Sequence, residues 1–215
     1  MELLATFIDI VLHLDKHLQL LIQNYGVWIY AILFLIIFCE TGLVIAPFLP
    51  GDSLLFVAGA LAASGNMYVH TLCLVLVAAS FLGDNTNYWI GRFFGPKLFS
   101  RKGSLLFNPK YLEQTQGFYD RHGGKTIVIA RFVPIVRTYA PFVAGIGRML
   151  YPRFVTFAFG GAALWIGSLV YAGYFFGNIA WVKSNLSLVI VGIVVLSLLP
   201  GIIEFVRHRL GQRTV

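Results

Sequence analysis

The chain has very little charge and almost no cysteine. Of its 215 residues, only 12% are charged whereas 58% are hydrophobic, and the mean hydropathy is +0.80. A soluble domain carries about twice that share of charged residues, so the composition indicates an integral membrane protein. The two cysteines, Cys39 and Cys73, both lie in apolar stretches. They provide neither a disulfide framework nor the spacing of a zinc site.

Acidic residues are scarcer than basic ones. The chain has nine Asp and Glu against 16 Lys and Arg, which gives a formal net charge of +7. The basic residues flank apolar runs and do not form a patch with interleaved aromatic residues, so we expect no nucleic-acid binding. This placement is typical of topology signals and of contacts to anionic lipid. Because no basic leader precedes a small-residue cleavage site, we also expect no removable signal peptide.

Three short blocks occur twice, in the same order. Each half of the chain contains F-x-P, then FVAG, then G-x-FFG: 48–50, 56–59 and 91–95 in the first half, and 132–134, 142–145 and 173–177 in the second. Coincidence among common membrane residues is the alternative, but the shared order and similar spacing favour an internal repeat. Similar interrupted segments in two halves of a membrane protein indicate a transport site at the repeat interface.

Both halves interrupt their apolar sequence with helix-breaking residues. In lipid, each backbone group freed by such a break is costly unless protein or a water-filled cavity satisfies it. Broken helices at membrane depth therefore indicate a site. The residues that we expect to break the helices are Pro47, Pro50, Gly51, Pro134 and Pro141.

These patterns predict an all-α polytopic membrane protein, built as an inverted repeat with two opposed re-entrant hairpins and several transmembrane helices. Residues 1–215 form a single membrane domain in this interpretation. Its predicted parts are a first repeat at 26–96 with a hairpin at about 30–64, a connector at 97–125, a second repeat at 126–177 with a hairpin at about 126–147, spanning helices near 69–95 and 154–177, and a last transmembrane helix at 186–206. The sequence leaves open whether residues 26–45 form a full span or one arm of the hairpin.

Charge bias sets the predicted topology. The connector at 97–125 is rich in Lys and Arg, which places it on the cytoplasmic side. If residues 126–147 are re-entrant, the basic turn that follows them and the basic C-terminal tail are both cytoplasmic as well. The prediction is therefore a multi-pass protein whose C-terminus is cytoplasmic.

Four ionisable residues lie inside the two broken segments: Glu40 and Asp52 in the first, Arg131 and Arg137 in the second. A charge at membrane depth costs about 2.5 kcal/mol or more, so such residues are expected to pair or to line a polar cavity. Arginine binds phosphate in a bidentate manner, and a buried carboxylate can exchange a proton near neutral pH. We hypothesise that the arginines bind an anionic phosphate headgroup while the acids couple its movement to protons. A purely structural salt-bridge cluster is the alternative.

Further polar residues are candidates for lining the same cavity, although helix–helix hydrogen bonds would also explain some of them. These candidates are Asp84, Tyr88, Ser53 and Thr138. The five histidines all lie near predicted interfaces and none lies beside a hairpin. Enzymatic chemistry needs a nucleophile with a base, or a metal cluster, so we expect no enzyme, no metal and no cofactor.

Long stretches of the chain resemble the defining motifs of one family. ETGLVIAPFLPGDSLLFVAG, GDNTNYWIGRFFG and HGGKTIVIARFVPIVRTYAPFVAG are similar to the motifs of the bacterial DedA family, part of the SNARE-associated or VTT-domain superfamily. The resemblance covers nearly the whole chain. It implies an inner-membrane protein with two opposed re-entrant hairpins, and it implies that Glu40, Asp52, Arg131 and Arg137 match the family's essential acids and arginines.

The resemblance also implies a function. Family members are associated with movement of undecaprenyl phosphate or glycerophospholipids across the bilayer, dependent on the proton-motive force, and with envelope homeostasis. We therefore expect a flippase or scramblase for a lipid phosphate in the bacterial inner membrane, with protons and anionic lipids as partners. A proton or cation antiporter without a lipid substrate, and a membrane scaffold, are the alternatives. A monomer would suffice for the repeat, and a homodimer remains open.

Overall fold

The computed structural model describes residues 14–43, 51–65, 67–99, 123–132, 134–185, 188–193 and 195. Within these ranges every regular element is helical, so the prediction of an all-α membrane protein is confirmed. The helices are α1 (Leu14–Tyr25), a 3-10 turn (Gly26–Trp28), α2 (Ile29–Gly42), α3 (Gly51–Ala63), α4 (Val69–Phe99), α5 (Lys125–Ala130), α6 (Pro134–Ile146), α7 (Tyr151–Phe176) and α8 (Ala180–Ser184).

Among the described residues, three helical stretches are long and apolar enough to cross a membrane: His17–Gly42, Val69–Phe94 and Tyr151–Phe176. The last two agree with the spans predicted near 69–95 and 154–177. The first shows that the stretch left open by the sequence has the length and composition of a full span. By contrast, α3 and α6 have 13 residues each, about 20 Å of helix, which is too short for a bilayer core of about 30 Å.

Several predicted features lie outside the described residues. They are the helix breaks at Pro47 and Pro50, most of the connector at 97–125, and the basic C-terminal tail. Of the last predicted helix at 186–206, residues 188–193 and 195 are helical. The hairpin orientations and the repeat boundaries stay predictions.

The chain divides into two compact units. Unit 1 comprises the described parts of Met1–Phe34, Phe48–Leu76 and Ile166–Val215, whereas unit 2 comprises those of Leu35–Pro47 and Val77–Trp165. Each unit thus combines segments from both predicted repeats.

In unit 1, two glycines allow α3 to contact the C-terminal half of α7 backbone to backbone. A methyl group on Gly59 would collide with the carbonyl oxygen of Val170, and one on Gly173 with the carbonyl oxygen of Phe56. Gly59 ends the first FVAG block, and Gly173 opens the second G-x-FFG block. Only glycine fits at either position.

Unit 2 contains the same arrangement with the blocks exchanged. A methyl group on Gly145 would collide with the carbonyl oxygen of Tyr88, and one on Gly91 with that of Phe142. Gly145 ends the second FVAG block and Gly91 opens the first G-x-FFG block. Each FVAG block therefore packs on the G-x-FFG block of the other half, at equivalent positions. An internal repeat explains this reciprocal packing, whereas a chance likeness of the blocks does not.

The core of unit 2 is built around Tyr88, which is wholly buried. Its ring stacks on that of Phe154 with centroids 4.3 Å apart. Its hydroxyl group donates to the carbonyl oxygen of Met149 at 2.5 Å and accepts a hydrogen bond from Arg92 at 2.7 Å. These contacts fix the middle of α4 against the turn that precedes α7.

Unit 1 contains an open cavity of about 930 Å³ between the 3-10 turn, the end of α3, the start of α4 and α7. At its wall the hydroxyl oxygen of Tyr30 accepts the backbone N–H of Tyr68 at 2.8 Å. His70 Nδ1 lies 2.8 Å from the hydroxyl oxygen of Tyr171 in the same unit. No Asp, Glu, Lys or Arg is among the described residues that line this cavity.

Candidate functional site

The end of α2 places Glu40 in the interior of unit 2. The side chain of Glu40 is 1% exposed and forms an ion pair with Arg137. Helix α2 ends two residues later, at Gly42, and its last turn lies directly on α4, because a methyl group on Gly83 would collide with the Thr41 hydroxyl. The small residues at this contact therefore allow the end of α2 to lie close to α4.

Arg137 lies in the first turn of α6, which begins at Pro134, a residue that suits the first position of a helix. Besides the ion pair with Glu40, its guanidinium carbon lies 4.8 Å from the centre of the Trp165 ring. Trp165 is only 2% exposed. A desolvated cation–π contact of this kind is worth about 2 kcal/mol, so Trp165 provides a second, uncharged partner for the guanidinium.

Arg131 follows the short helix α5 and is also buried. It forms an ion pair with Asp84, donates to Ser80 Oγ at 2.9 Å and donates to the carbonyl oxygen of Ala158 at 3.1 Å. Ser80 and Asp84 are four residues apart on α4 and so share one face of that helix. Gly161 makes room for the arginine, because a methyl group there would lie 2.9 Å from Arg131 Nε.

Unit 2 thus buries two arginines and two carboxylates as two ion pairs. Their attraction is strong in a medium of low dielectric constant, but removing four charges from water opposes it. A buried pair can exchange partners: an incoming anion can take the place of a carboxylate that becomes protonated. This arrangement can therefore bind an anion and a proton together.

The other predicted site residues fall in different places. Asp52 and Ser53 lie in the first turn of α3, in unit 1, where Ser53 is buried and Asp52 is half-buried. In unit 2, Asp84 pairs with Arg131, Tyr88 is a core residue, and Thr138 is buried beside Arg137. Their roles in a substrate cavity stay predictions.

The sequence did not predict Trp165 or Ser80 as contributors to the site. It placed Asn87 only among the polar residues near Asp84 that could line the cavity. Trp165 lies near the middle of α7, away from the interfaces that tryptophan prefers, and that position was a usable signal. Ser80, Asp84 and Asn87 fall at helical spacing on α4, so the face they share was a second signal. Asn87 Nδ2 donates to the carbonyl oxygens of Thr41 and Thr138 at 3.3 and 2.7 Å.

Within the described ranges, no three or more His, Cys, Asp or Glu side chains come close enough together to hold a metal ion. The described ion pairs involve Arg with Asp or Glu.

Residues 49–175 match the family model described as VTT domain. The chain belongs to the VTT-domain family. In this family it is similar to Protein DedA of Escherichia coli (strain K12), with 57% identity over 211 residues, 97% of this chain and 96% of that protein. No solved structure matches the chain.

Two further relatives are also named as membrane proteins. Inner membrane protein YghB of Escherichia coli (strain K12) is 38% identical over 158 residues, 73% of this chain and 72% of that protein. An uncharacterized membrane protein of Mycobacterium leprae (strain TN) is 44% identical over 168 residues, 78% of this chain and 75% of that protein. The chain is thus a membrane protein with relatives in distant bacteria.

Proposed function

We propose that this protein moves a lipid phosphate, either undecaprenyl phosphate or a glycerophospholipid, across the bacterial inner membrane together with protons. The observation that carries the proposal is the pair of buried arginines in unit 2, each ion-paired with a carboxylate. Buried ion pairs contribute little net stability compared with apolar packing. A functional reason for them is therefore favoured.

Arg137 is the residue that we assign to the phosphate. Its guanidinium group can bind two phosphate oxygens at once. In the ion-paired state Glu40 occupies that position, so a phosphate must displace the carboxylate. The ring of Trp165 would hold the guanidinium group during the exchange, because its attraction to the cation does not depend on which anion is bound.

Proton coupling follows from charge balance. If a phosphate displaced an ionised Glu40, the buried carboxylate would lose its countercharge, which is strongly destabilising. Protonation of Glu40 removes that penalty and releases Arg137 at the same time. The lipid phosphate and the proton are therefore expected to bind together and to move in the same direction.

Arg131 and Asp52 have supporting roles in this proposal. Arg131 is held by Asp84, Ser80 and Ala158, so it provides a fixed positive charge that favours entry of an anion. Asp52, in the first turn of α3, is proposed as a second proton-coupling acid. The assignment of Asp52 comes from its place in the broken segment.

The test is movement of labelled undecaprenyl phosphate and, in parallel, phosphatidylethanolamine across proteoliposome membranes, with and without an imposed pH gradient. The wild type should move one of the two, and the gradient should accelerate it. Arg137→Lys should slow movement at least about tenfold, a loss of about 1.4 kcal/mol, because lysine is a point charge without the bidentate geometry. Asp52→Asn should abolish the acceleration by the gradient.

The matched control is Arg148→Lys. Arg148 is exposed in the turn after α6, so the same exchange there should leave the rate unchanged. If no lipid moves but the protein still dissipates a pH gradient, the antiporter alternative replaces this proposal. If Arg137→Lys transports as well as wild type, Arg137 does not bind the phosphate.

A further inference from the structure

Asn87 links the two backbone segments that carry Glu40 and Arg137. It lies on α4, is wholly buried, and donates its side-chain nitrogen to the carbonyl oxygens of Thr41 and Thr138 at 3.3 and 2.7 Å. Thr41 directly follows Glu40, and Thr138 directly follows Arg137. One amide group therefore bonds the main chain beside both members of the pair.

One of these carbonyl groups lies at a helix end and the other lies beside a proline inside a helix. Thr41 lies in the last turn of α2, where carbonyl groups have no N–H partner within the helix. Thr138 lies in the turn before Pro141, which lies inside α6 and does not break it, contrary to the prediction. Proline has no N–H to donate to the carbonyl of Arg137, four residues earlier, and its ring disturbs that turn. The orientation of Asn87 follows from chemistry, because only the amide nitrogen can face two carbonyl oxygens.

The cost of this arrangement indicates a role beyond stability. Asn87 Oδ1 is buried and has no hydrogen-bond partner within the described part of the chain. A buried amide oxygen without a donor is destabilising, and such groups are rare in folded proteins. An apolar residue would avoid that cost, so the side-chain nitrogen and its two bonds are the reason for asparagine here.

We propose that Asn87 is a positioning residue that keeps the backbones of Glu40 and Arg137 in a fixed spacing while their side chains exchange partners. The proposal rests on the transport function above. When a phosphate replaces Glu40 at Arg137, both backbone segments stay bonded to α4. The carboxylate can then return to the same guanidinium group after the lipid leaves.

Asn87→Ala removes both bonds, and Asn85→Ala is the matched control. Asn85 lies on the same helix and is half-buried, but it bonds neither segment of the pair: its side-chain nitrogen donates to the Phe81 carbonyl oxygen of its own helix at 2.7 Å, and its side-chain oxygen accepts the Tyr151 hydroxyl at 2.9 Å. Two measurements are made on each variant: lipid movement in proteoliposomes, and hydrogen–deuterium exchange over residues 39–43 and 137–142 in purified protein.

Asn87→Ala should slow lipid movement about tenfold and accelerate exchange about fivefold in both segments, as loss of hydrogen bonds of ordinary net strength would do. Asn85→Ala should leave the rate of lipid movement and the exchange rates of both segments close to those of wild type. A double variant, Asn87→Ala with Arg137→Lys, should transport no more slowly than Arg137→Lys alone, because Asn87 acts through the pair. Additive losses in the double variant would overturn the positioning role.

The exchange measurement separates this proposal from the transport proposal. If the wild type moves no lipid, the transport function fails, while the exchange rates still decide whether Asn87 holds both segments. Unchanged exchange in Asn87→Ala would refute the inference even if transport were lost. If Asn87→Ala does not fold, Asn87→Gln takes its place: its amide is displaced by one methylene and can reach only one carbonyl. It should accelerate exchange in one of the two segments, and unchanged exchange in both would again refute the inference.

Discussion

Units 1 and 2 share one packing arrangement but differ in what they bury. In each unit, the glycine of an FVAG block and the glycine of a G-x-FFG block contact main chain of the opposing helix. Nine polar or charged residues are buried in the described part of the chain, and only Ser53 belongs to unit 1, which leaves eight in unit 2. Those eight are Glu40, Thr41, Ser80, Asp84, Asn87, Arg131, Arg137 and Thr138.

Unit 1 therefore serves as an internal control for unit 2. It shows that the close glycine packing of this protein forms without buried arginine or buried carboxylate among the described residues. The open cavity of unit 1 likewise has no Asp, Glu, Lys or Arg in its described lining. The ion pairs of unit 2 are thus an addition to a shared framework, which is the expected distribution if they perform transport.

The largest effect that would test this comparison is removal of one ion-pair partner. Arg131→Met leaves the Asp84 carboxylate buried without its countercharge and should lower the free energy of unfolding by about 3–5 kcal/mol. Replacing both residues, Arg131→Met with Asp84→Leu, should recover most of that loss. Unfolding titrations of the purified protein in mixed micelles measure both. The control is Arg148→Met, at an exposed position, whose free energy of unfolding should stay within about 0.5 kcal/mol of wild type. If Arg131→Met lowered the free energy of unfolding by no more than this control, the Arg131–Asp84 pair would not be buried.

The next effect tests whether the two units are equivalent. Gly59→Ala in unit 1 and Gly145→Ala in unit 2 should each lower the free energy of unfolding by about 1–3 kcal/mol, because helices in backbone contact must separate. Gly167 and Gly160 are the matched controls, since a methyl group at either has no neighbour within 4 Å. Alanine there should be neutral or slightly stabilising. A large loss at only one of the two tested glycines would break the equivalence.

The smallest effect compares one hydroxyl group in each unit. Tyr88→Phe removes the hydroxyl that bonds Met149 and Arg92 in the interior of unit 2, and should cost about 1–2 kcal/mol. Tyr171→Phe removes the exposed contact with His70 in unit 1 and should cost about 0.5 kcal/mol. The same unfolding titrations measure the difference. Equal costs would contradict the view that the buried polar groups are concentrated in unit 2.

The membrane helices could be predicted because length and hydropathy are local properties. The spans at α4 and α7 follow directly from apolar runs long enough for a bilayer. The site was only partly predictable. The sequence placed Glu40, Arg131 and Arg137 in broken segments and so predicted that the charges would pair or line a polar cavity, and Glu40 does pair with Arg137. It ranked Asp84 below Asp52, although Asp84 is the partner of Arg131, because an acid inside an intact helix resembles an ordinary helix–helix contact.

The sequence by itself determined the membrane class, the family motifs and the repeated blocks, because composition, order and spacing are properties of the residues themselves. Only the tertiary structure decided which carboxylate meets which arginine, that Trp165 lies against Arg137, and that Asn87 bonds the main chain beside both members of one pair. The ion-pair partners are 47 and 97 residues apart in the chain. Contacts over such separations depend on how whole helices pack, and no local pattern of residues specifies that packing.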